Sequence, residues 1–338
     1  MKKACFVISA PFDKGAIFDR NNSDLNRDNC LQFYYDLQDI LWKNNIDLNT
    51  YDINRQGECD FIIYNEMPRL LPQNDSIVKS FLLLFECEVI RPDNWEVSSH
   101  NRFSKIFTWH DSFIDEIKYF KLNFTHDGSI DNFLSFKEKS KFCTLIAGNK
   151  VVSRPLELYS HRKKAISWFE NNHPDKFDFY GIGWDMLTFD ESKLTGILNR
   201  FSFLKGMRKR LMTRYSSYRG KINSKIETLK DYKFSICYEN AQEIPGYITE
   251  KIFDSMAAGC IPVYWGAPNI SDYVPEDCYI DKRKFKTYED LYNYLIGMSE
   301  DEYNSRLEHI RSFLHSAISE QFSPYYNARS VVKHILDK

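Results

Sequence analysis

The sequence lacks the cysteine patterns of a metal site or a redox motif. None of its eight cysteines forms a Cys-x-x-Cys pair, and their spacings do not match those of zinc ligands. Several lie in apolar runs, where a buried free thiol is the usual occupant. We therefore expect reduced cysteines and a cytoplasmic protein.

The sequence also lacks a long apolar run. A transmembrane helix needs roughly 20 apolar residues, whereas the longest run, around residues 81–85, has only the length of a strand. The N-terminal stretch MKKACFVISAPFD resembles a signal peptide, but its apolar run is too short, and a first core strand explains it better. We expect a soluble chain.

Charge is nearly balanced overall. With 45 Lys and Arg against 47 Asp and Glu, the net charge of -2 does not call for nucleic acid or a membrane as partner. Residues 192–226, however, contain no acidic residue. The basic residues of this block are Lys193, Arg200, Lys205, Arg208, Lys209, Arg210, Arg214, Arg219, Lys221 and Lys225. The block is either a solvated helix face or a surface that attracts an acidic partner, such as a nucleotide diphosphate or a glycan at a membrane surface; RNA is disfavoured because no RNA-binding signature accompanies it.

Apolar patterns predict an α/β fold in both halves of the 338-residue chain. The predicted strands are 4–9, 60–64, 80–85, 105–109, 142–147, 177–180, 233–238 and 261–265. The predicted helices are 26–43, 156–171 and 249–258, two within 288–314, and 327–336. A polar region at about 127–141 marks a boundary between an N-terminal domain, 1–140, and a C-terminal domain, 141–320, followed by a C-terminal helix, 321–338.

The stretch ENAQEIPGYITEKIFDSMAAGCIPVYWG, residues 239–266, carries the clearest chemistry. It follows an apolar strand, and ligands of open α/β sheets bind at the carboxyl ends of strands. Thr249 can cap the next helix, whose first amides and positive dipole then attract phosphate. The stretch is therefore typical of a phosphate-binding helix terminus.

Two charged residues follow Thr249. Lys251 can offset the charge of a leaving diphosphate, a role otherwise given to a divalent metal. Glu250 can accept hydrogen bonds from both hydroxyls of a ribose. Together they indicate a nucleotide sugar, although an ordinary surface Glu-Lys pair would explain these two residues taken alone.

The whole stretch resembles the donor-binding signature of the α-1,3-fucosyltransferase family. That signature reads aromatic-Glu-Asn, a short loop, Tyr-x-Thr-Glu-Lys and Ile-Pro-x-x-x-Gly. The matching positions are Glu239, Asn240, Tyr247, Thr249, Glu250, Lys251, Gly259, Pro262, Tyr264, Trp265 and Gly266. A weaker resemblance extends over roughly residues 80–290.

This resemblance implies a GT-B-type glycosyltransferase with two Rossmann-like domains facing a cleft. The C-terminal domain would hold GDP-β-L-fucose, and the enzyme would invert the anomeric carbon to leave an α-linked fucose. The acceptor would be an oligosaccharide or lipid-linked glycan containing N-acetylglucosamine or glucose, as in a surface glycan such as lipopolysaccharide. From the charge pattern we expect no nucleic-acid partner, and at most peripheral membrane contact through the basic block.

An inverting transfer also requires a base, because a sugar hydroxyl is a poor nucleophile near neutral pH. The family places a Glu just after an apolar strand, and Glu86 in LLLFECEVIRPDNW fits that place. Glu88, two residues on, stays open as the alternative. Both could instead be structural, one of them pairing with Arg91.

The family further implies an Arg on the helix after residues 142–149, which contacts the donor phosphates. Arg162 fits this place, and Arg154 is the alternative. Asn240 and Tyr247 would contact the phosphates and the sugar, unless Tyr247 serves core packing. We expect no cofactor and no metal requirement, because no Asp-x-Asp lies at a suitable strand end. Another GDP-sugar donor, such as GDP-mannose, or a non-catalytic GDP-sugar or glycan-binding protein remains possible.

Overall fold

The structure is a computed structural model that describes residues 1–126, 133–211 and 215–337. The chain forms two compact units. Unit 1 comprises Met1–Asp127, Pro245–Glu250 and Ala317–Lys338, and unit 2 comprises Gly128–Ile244 and Lys251–Ser316. The boundary at residue 140 stays a sequence-based division, and the first residues of that polar region, 127–132, lie outside the described residues, as does Arg214 of the basic block.

Unit 1 contains a six-stranded parallel sheet. Its strands are β1 (Lys2–Val7), β2 (Ile46–Thr50), β3 (Phe61–Asn65), β4 (Ser80–Leu84), β5 (Lys105–Thr108) and β6 (Tyr119–Lys121), in the order β2-β1-β3-β4-β5-β6. Helices α1 (Gln32–Lys43) and α8 (Pro324–Leu336) pack against each other. The C-terminal helix is thus part of the unit formed by the N-terminal residues.

The strands of unit 1 follow from their composition. All five residues of β4, SFLLL, are buried, as expected for an inner parallel strand covered on both faces. In α1, Phe33, Leu37 and Leu41 recur every four residues and share one core with Val331 and Val332 of α8. The sequence analysis did not identify β2 and β6, because both are short and polar residues interrupt their apolar pattern.

Unit 2 contains a second parallel sheet. Its strands are β7 (Lys141–Ile146), β8 (Phe177–Tyr180), β9 (Tyr232–Tyr238), β10 (Ile261–Trp265) and β11 (Ile280–Asp281), in the order β11-β10-β9-β7-β8. Its helices are α2 (Tyr159–Asn172), α3 (Lys205–Arg210), α4 (Lys225–Leu229), α5 (Glu250–Ala257, whose first residue belongs to unit 1), α6 (Tyr288–Gly297) and α7 (Glu300–Leu314). The predicted fold class, two α/β units with parallel sheets, is confirmed.

Each sheet has one point where the strand order reverses. In unit 1 the chain builds β2 on one side of β1 and β3 on the other; in unit 2, β8 and β9 lie on opposite sides of β7. Crevices at the carboxyl ends of such strands are the usual ligand sites of open α/β sheets. We therefore expect ligand-binding side chains at the two reversal points, β1/β3 and β7/β9.

The cysteines are all free thiols, and seven of the eight are buried. Among the described residues, no helix combines the length and the apolar character that crossing a bilayer requires.

Candidate functional site

A small cavity of about 30 Å³ opens at the reversal point of unit 2, between the carboxyl ends of β7 and β9. This volume is about that of one water molecule, so a larger ligand would bind at the mouth of the cavity. Three cations line it: Arg162 of α2, Lys225 of α4 and Lys251 of α5. Arg154, the alternative to Arg162, does not belong to the described lining.

Arg162 holds the carboxyl end of β9. Its side chain is buried, and its Nε and Nη2 groups donate to the carbonyl oxygen of Tyr238 at 3.2 and 2.7 Å. Nη2 also donates to Oδ1 of Asn240 at 2.9 Å. The structure thus brings two predicted donor-binding residues, Arg162 and Asn240, into direct contact. Asn240 orients the guanidinium, a contact that the sequence analysis did not anticipate.

Lys251 forms an ion pair with a carboxylate that the sequence analysis left without a role. Its Nζ lies 3.3 Å from Oε2 of Glu239, whose side chain is completely buried at the end of β9. Gly266 makes room for this carboxylate, because a Cβ at that position would lie 2.4 Å from Cγ of Glu239. The Glu and the Gly of the signature therefore belong to one packing arrangement around Lys251.

Lys225 pairs with Asp254 of α5 at 2.7 Å. The cavity lining therefore combines Arg162 with two lysines that each contact an acid, and one positive charge remains in excess. Such a site favours an anion that can accept hydrogen bonds from several cations at once.

The segment Pro245–Glu250 of the signature packs within unit 1. The ring of Tyr247 is buried, with its centroid 4.5 Å from that of Trp109. Gly246 has a φ of +80°, and a Cβ there would lie 2.3 Å from the carbonyl oxygen of Trp109, so only glycine fits. Glu250 is the first residue of α5 and is partly buried. Glu250 and Lys251 are neighbours in sequence but belong to different units, which the sequence did not indicate.

Glu86 and Glu88 differ in their surroundings. The backbone of Glu86 is fixed on both sides: its N–H donates to Oε1 of Glu66 at 3.0 Å, and its carbonyl accepts from Asn94 and Trp95 at 3.1 and 3.0 Å. Its side chain is half-buried, whereas Glu88 is exposed. The choice of Glu86 over Glu88 as the base stays a prediction.

Glu66 is a site residue that the sequence analysis missed. It directly follows β3, and it lines a cavity of about 350 Å³ at the reversal point of unit 1 together with Ser9, Tyr34, Asn65 and Arg91. Loss of hydration raises the pKa of Glu66 to about 7, and the charge of Glu86 adds to this shift. The sequence pattern that singled out Glu86, a Glu just after an apolar strand, would also have singled out Glu66.

Comparison with known protein families matches the part of the chain that contains the donor signature. A model of the C-terminal region of glycosyltransferase family 10 (fucosyltransferase) matches residues 192–321. This part of the chain therefore resembles the C-terminal region of glycosyltransferase family 10. The match includes Asn240, Glu250 and Lys251, and the resemblance to α-1,3-fucosyltransferases is confirmed.

Curated relatives share short segments with the chain. An α-(1,3)-fucosyltransferase FucT of Helicobacter pylori is 37% identical over 75 residues, which cover 22% of this chain and 15% of that protein. The α-(1,3)-fucosyltransferase B of Drosophila melanogaster is 33% identical over 109 residues, 29% of this chain and 24% of that protein. The aligned segments thus span less than a quarter of these relatives' own length.

Solved structures resemble the whole chain. A crystal structure of α1,3-fucosyltransferase with GDP has a TM-score of 0.58 at 15% identity and covers 100% of this chain and 90% of that one. Anabaena HepE with UDP and glucose reaches 0.53 at 10% identity, with 99% of both chains covered. At such identities the likeness concerns the fold, which is of GT-B type.

The packing of Gly266 against Glu239 leads to a stability prediction. We expect Gly266→Ala to lower the free energy of unfolding by about 1–3 kcal/mol, the usual cost of overpacking, because the new methyl group must displace Glu239. Chemical denaturation measures the loss. Gly297→Ala is the matched control, since a Cβ there meets no atom within 4 Å. Equal stabilities of the two variants would contradict the proposed packing.

Proposed function

We propose that the chain is an inverting fucosyltransferase that moves L-fucose from GDP-β-L-fucose to a hydroxyl group of a glycan acceptor. The observation that carries the proposal is the cluster of Arg162, Lys225 and Lys251 at the reversal point of unit 2, in which Lys251 belongs to the donor signature. The same fold occurs in α1,3-fucosyltransferase structures with GDP and with GDP-fucose.

The cation cluster suits the leaving group. When the bond between the anomeric carbon and the diphosphate breaks, the electron pair goes to the phosphate oxygen, and the growing charge is best stabilised by cations already in place. Arg162 is held by Tyr238 and Asn240, and Lys251 by Glu239, so both are preorganised. Glu250 would bind the ribose hydroxyls, and Tyr247 stays a predicted donor contact.

The acceptor hydroxyl must lose its proton as its oxygen bonds to the anomeric carbon. We assign proton removal to Glu86, because its backbone is fixed by Glu66, Asn94 and Trp95. One bond to the diphosphate breaks as the new glycosidic bond forms on the opposite face, and the product is an α-fucoside. An α-1,3 linkage to an N-acetylglucosamine- or glucose-containing surface glycan is the acceptor chemistry we propose.

Other donors and a purely binding role are the competing functions. The residues assigned above would contact the nucleoside diphosphate more than the sugar, so another GDP-sugar would satisfy the same cations. GT-B neighbours include HepE with UDP-glucose and a T4 phage enzyme with UDP and Mn²⁺. The fold alone therefore determines neither the nucleobase of the donor nor whether a metal is required.

A donor panel tests the proposal. Purified protein, incubated with GDP-fucose, GDP-mannose and UDP-glucose and a mixture of glycan acceptors, should release GDP from GDP-fucose roughly tenfold or more faster than from the other donors. A chelator should leave the rate unchanged, because Arg162 and Lys251 supply the positive charge.

Three outcomes of the panel would contradict this view. Preference for another donor would reassign the sugar, and absence of turnover with retained GDP binding would indicate a binding protein. Loss of rate with chelator, restored by Mn²⁺, would show that a metal carries the charge.

As a control on the cations, Lys251→Ala should lose on the order of 10²-fold in turnover, as enzymes do when one preorganised donor is removed.

The two carboxylates after β4 lead to a separate prediction. We expect Glu86→Gln to bind GDP normally but to lose about 10²- to 10⁴-fold in transfer, the usual contribution of a positioned base. Glu88→Gln is the matched control and should be mild, because Glu88 is exposed. Transfer rates with a saturating donor give the comparison. The opposite ranking would move the base to Glu88.

A further inference from the structure

Glu66 supports the turn that carries Glu86. Its Oε1 accepts the backbone N–H of Phe85 at 3.3 Å and that of Glu86 at 3.0 Å, and its Oε2 accepts from Nδ2 of Asn94. Asn94 also donates to the carbonyl of Glu86 and is itself buried. One carboxylate therefore holds both peptide groups that lead to Glu86.

The surroundings of Glu66 contain few charges. Glu86 and Arg91 lie on the loop after β4. Tyr34 lies on α1, and Cys30 lies just before that helix. Arg91 is engaged by Asp93 and by the carbonyl of Met67. The charge of Glu86 therefore lies close enough to Glu66 to raise the pKa of Glu66.

We infer that Glu66 is a positioning residue for Glu86: its carboxylate fixes the turn by accepting two backbone amides and the side-chain amide of Asn94. The inference rests on the role of Glu86 proposed above. Protonation of Glu66 would remove its negative charge and place a hydrogen on one of its oxygens, which weakens the hydrogen bonds that it accepts from Asn94 and the two amides. The turn would then loosen at the residue that must meet the acceptor hydroxyl.

The pH dependence of transfer tests this role. Because the pKa of Glu66 is raised to about 7, wild-type transfer should fall as the pH drops through that value. In Glu66→Gln the plateau rate should fall by about tenfold to 10²-fold, as for other small misplacements of a reacting group. Its acid limb near pH 7 should be lost, because the amide that replaces Glu66 does not titrate. GDP affinity should be unchanged.

Two further variants separate positioning from simple structural support. Glu66→Asp keeps the charge on a shorter side chain, so it should retain the wild-type position of the acid limb with a reduced plateau. Glu58→Gln removes an exposed carboxylate of unit 1 and should change neither. A lower melting temperature of Glu66→Gln with an unmoved acid limb would assign Glu66 a structural role only and would overturn the inference.

Carboxyl carbon NMR makes the result independent of the proposed reaction. The Glu66 signal, assigned by its loss in Glu66→Gln, should titrate near pH 7 and at lower pH in Glu86→Gln, where the neighbouring charge is gone. If the wild type transfers no sugar, the proposed function fails while this titration still reports the carboxylate pair. Normal transfer by Glu66→Gln in an active enzyme would refute the inference alone.

The basic block also exposes a cluster of apolar side chains. Residues 194–211 form two short 3-10 helices, Leu194–Arg200 and Ser202–Leu204, followed by α3. Their large apolar side chains point to solvent. The exposed members are Leu194 (95%), Phe203 (78%), Leu211, Ile197, Met207 and Phe201. We call this set the apolar patch.

The interior of this segment is polar. Arg208 is buried and donates to the carbonyl oxygens of Leu187 at 2.7 Å and Asn199 at 3.2 Å. Asn199 in turn exchanges two hydrogen bonds with the backbone of Phe189. Polar contacts thus fold the segment while its apolar residues face outward, the reverse of ordinary packing, and a cluster of exposed apolar residues of this kind marks an interaction surface.

Cations surround the apolar patch. Lys193, Arg200, Lys205, Lys209 and Arg210 are all exposed. Lys193 and Lys209 contact Asp190 and Asp185, while the other three form no ion pair within the described residues. Apolar side chains flanked by Lys and Arg match the boundary of a bilayer with anionic lipids. A second copy of this chain would bring the same positive charge and be repelled.

We propose that the apolar patch and its cations bind the surface of an anionic membrane. Leu194 and Phe203 would insert below the headgroups, and the cations would contact lipid phosphates. Such binding would bring the enzyme to a lipid-linked acceptor, but it does not depend on the identity of donor or acceptor.

Vesicle sedimentation with the full chain tests this surface. We expect binding to phosphatidylglycerol-containing vesicles, weak binding to pure phosphatidylcholine, and loss of binding at high salt. Replacing Arg200, Lys205 and Arg210 by Gln should weaken binding roughly fivefold per cation. Leu194→Ser with Phe203→Ser should weaken it at least tenfold without changing the melting temperature, because both side chains are exposed.

The control is Leu70→Ser with Val78→Ser, two exposed apolar residues of unit 1. Equal vesicle binding by both double variants would overturn the proposal, as would absence of binding by the wild type. Self-association that only Leu194→Ser with Phe203→Ser abolishes would assign the apolar patch to a second copy, and binding of RNA in place of vesicles would assign the cations to nucleic acid.

Discussion

The carboxyl end of β9 depends on one buried guanidinium. Arg162 is 5% exposed, and it donates twice to the carbonyl of Tyr238, the last residue of the strand. A buried cation is costly unless its donors are satisfied, so strand end and guanidinium stabilise each other. Because Arg162 also contacts Asn240, this interaction determines how the chain leaves the sheet and enters the donor signature.

The candidate site residues of the two units differ in charge. At β7/β9, unit 2 collects Arg162, Lys225 and Lys251, whereas unit 1 presents Glu66 after β3 and Glu86 after β4. Parallel strands bring their carboxyl ends to the same edge of a sheet, so residues distant in sequence meet there. Cations suit a departing diphosphate and carboxylates suit a hydroxyl proton, and the proposed transfer requires both.

Most of the sheet framework followed from apolar patterns. The strands 177–180 and 261–265 have the predicted bounds, and the other predicted strands differ by a few residues at their ends. Helix α1 begins at Gln32 instead of residue 26, because Arg27–Asn29 form a 3-10 turn in which Asp28 has a φ of 51°. Short strands such as β2 escaped, since alternating polar residues in five positions do not distinguish a strand from a loop.

The sequence by itself determined the α/β class and the family resemblance, because strand periodicity and the signature are local properties. The resemblance in turn made Arg162, Lys251 and Glu86 candidates, whose roles stay predictions. Only the tertiary structure placed Glu239 against Lys251, Glu66 beneath Glu86, and Tyr247 against Trp109. These contacts join residues that are 12, 20 and 138 positions apart. No local pattern encodes such pairs: they form because burial removes water from a polar or aromatic group, which must then find its partner within the fold.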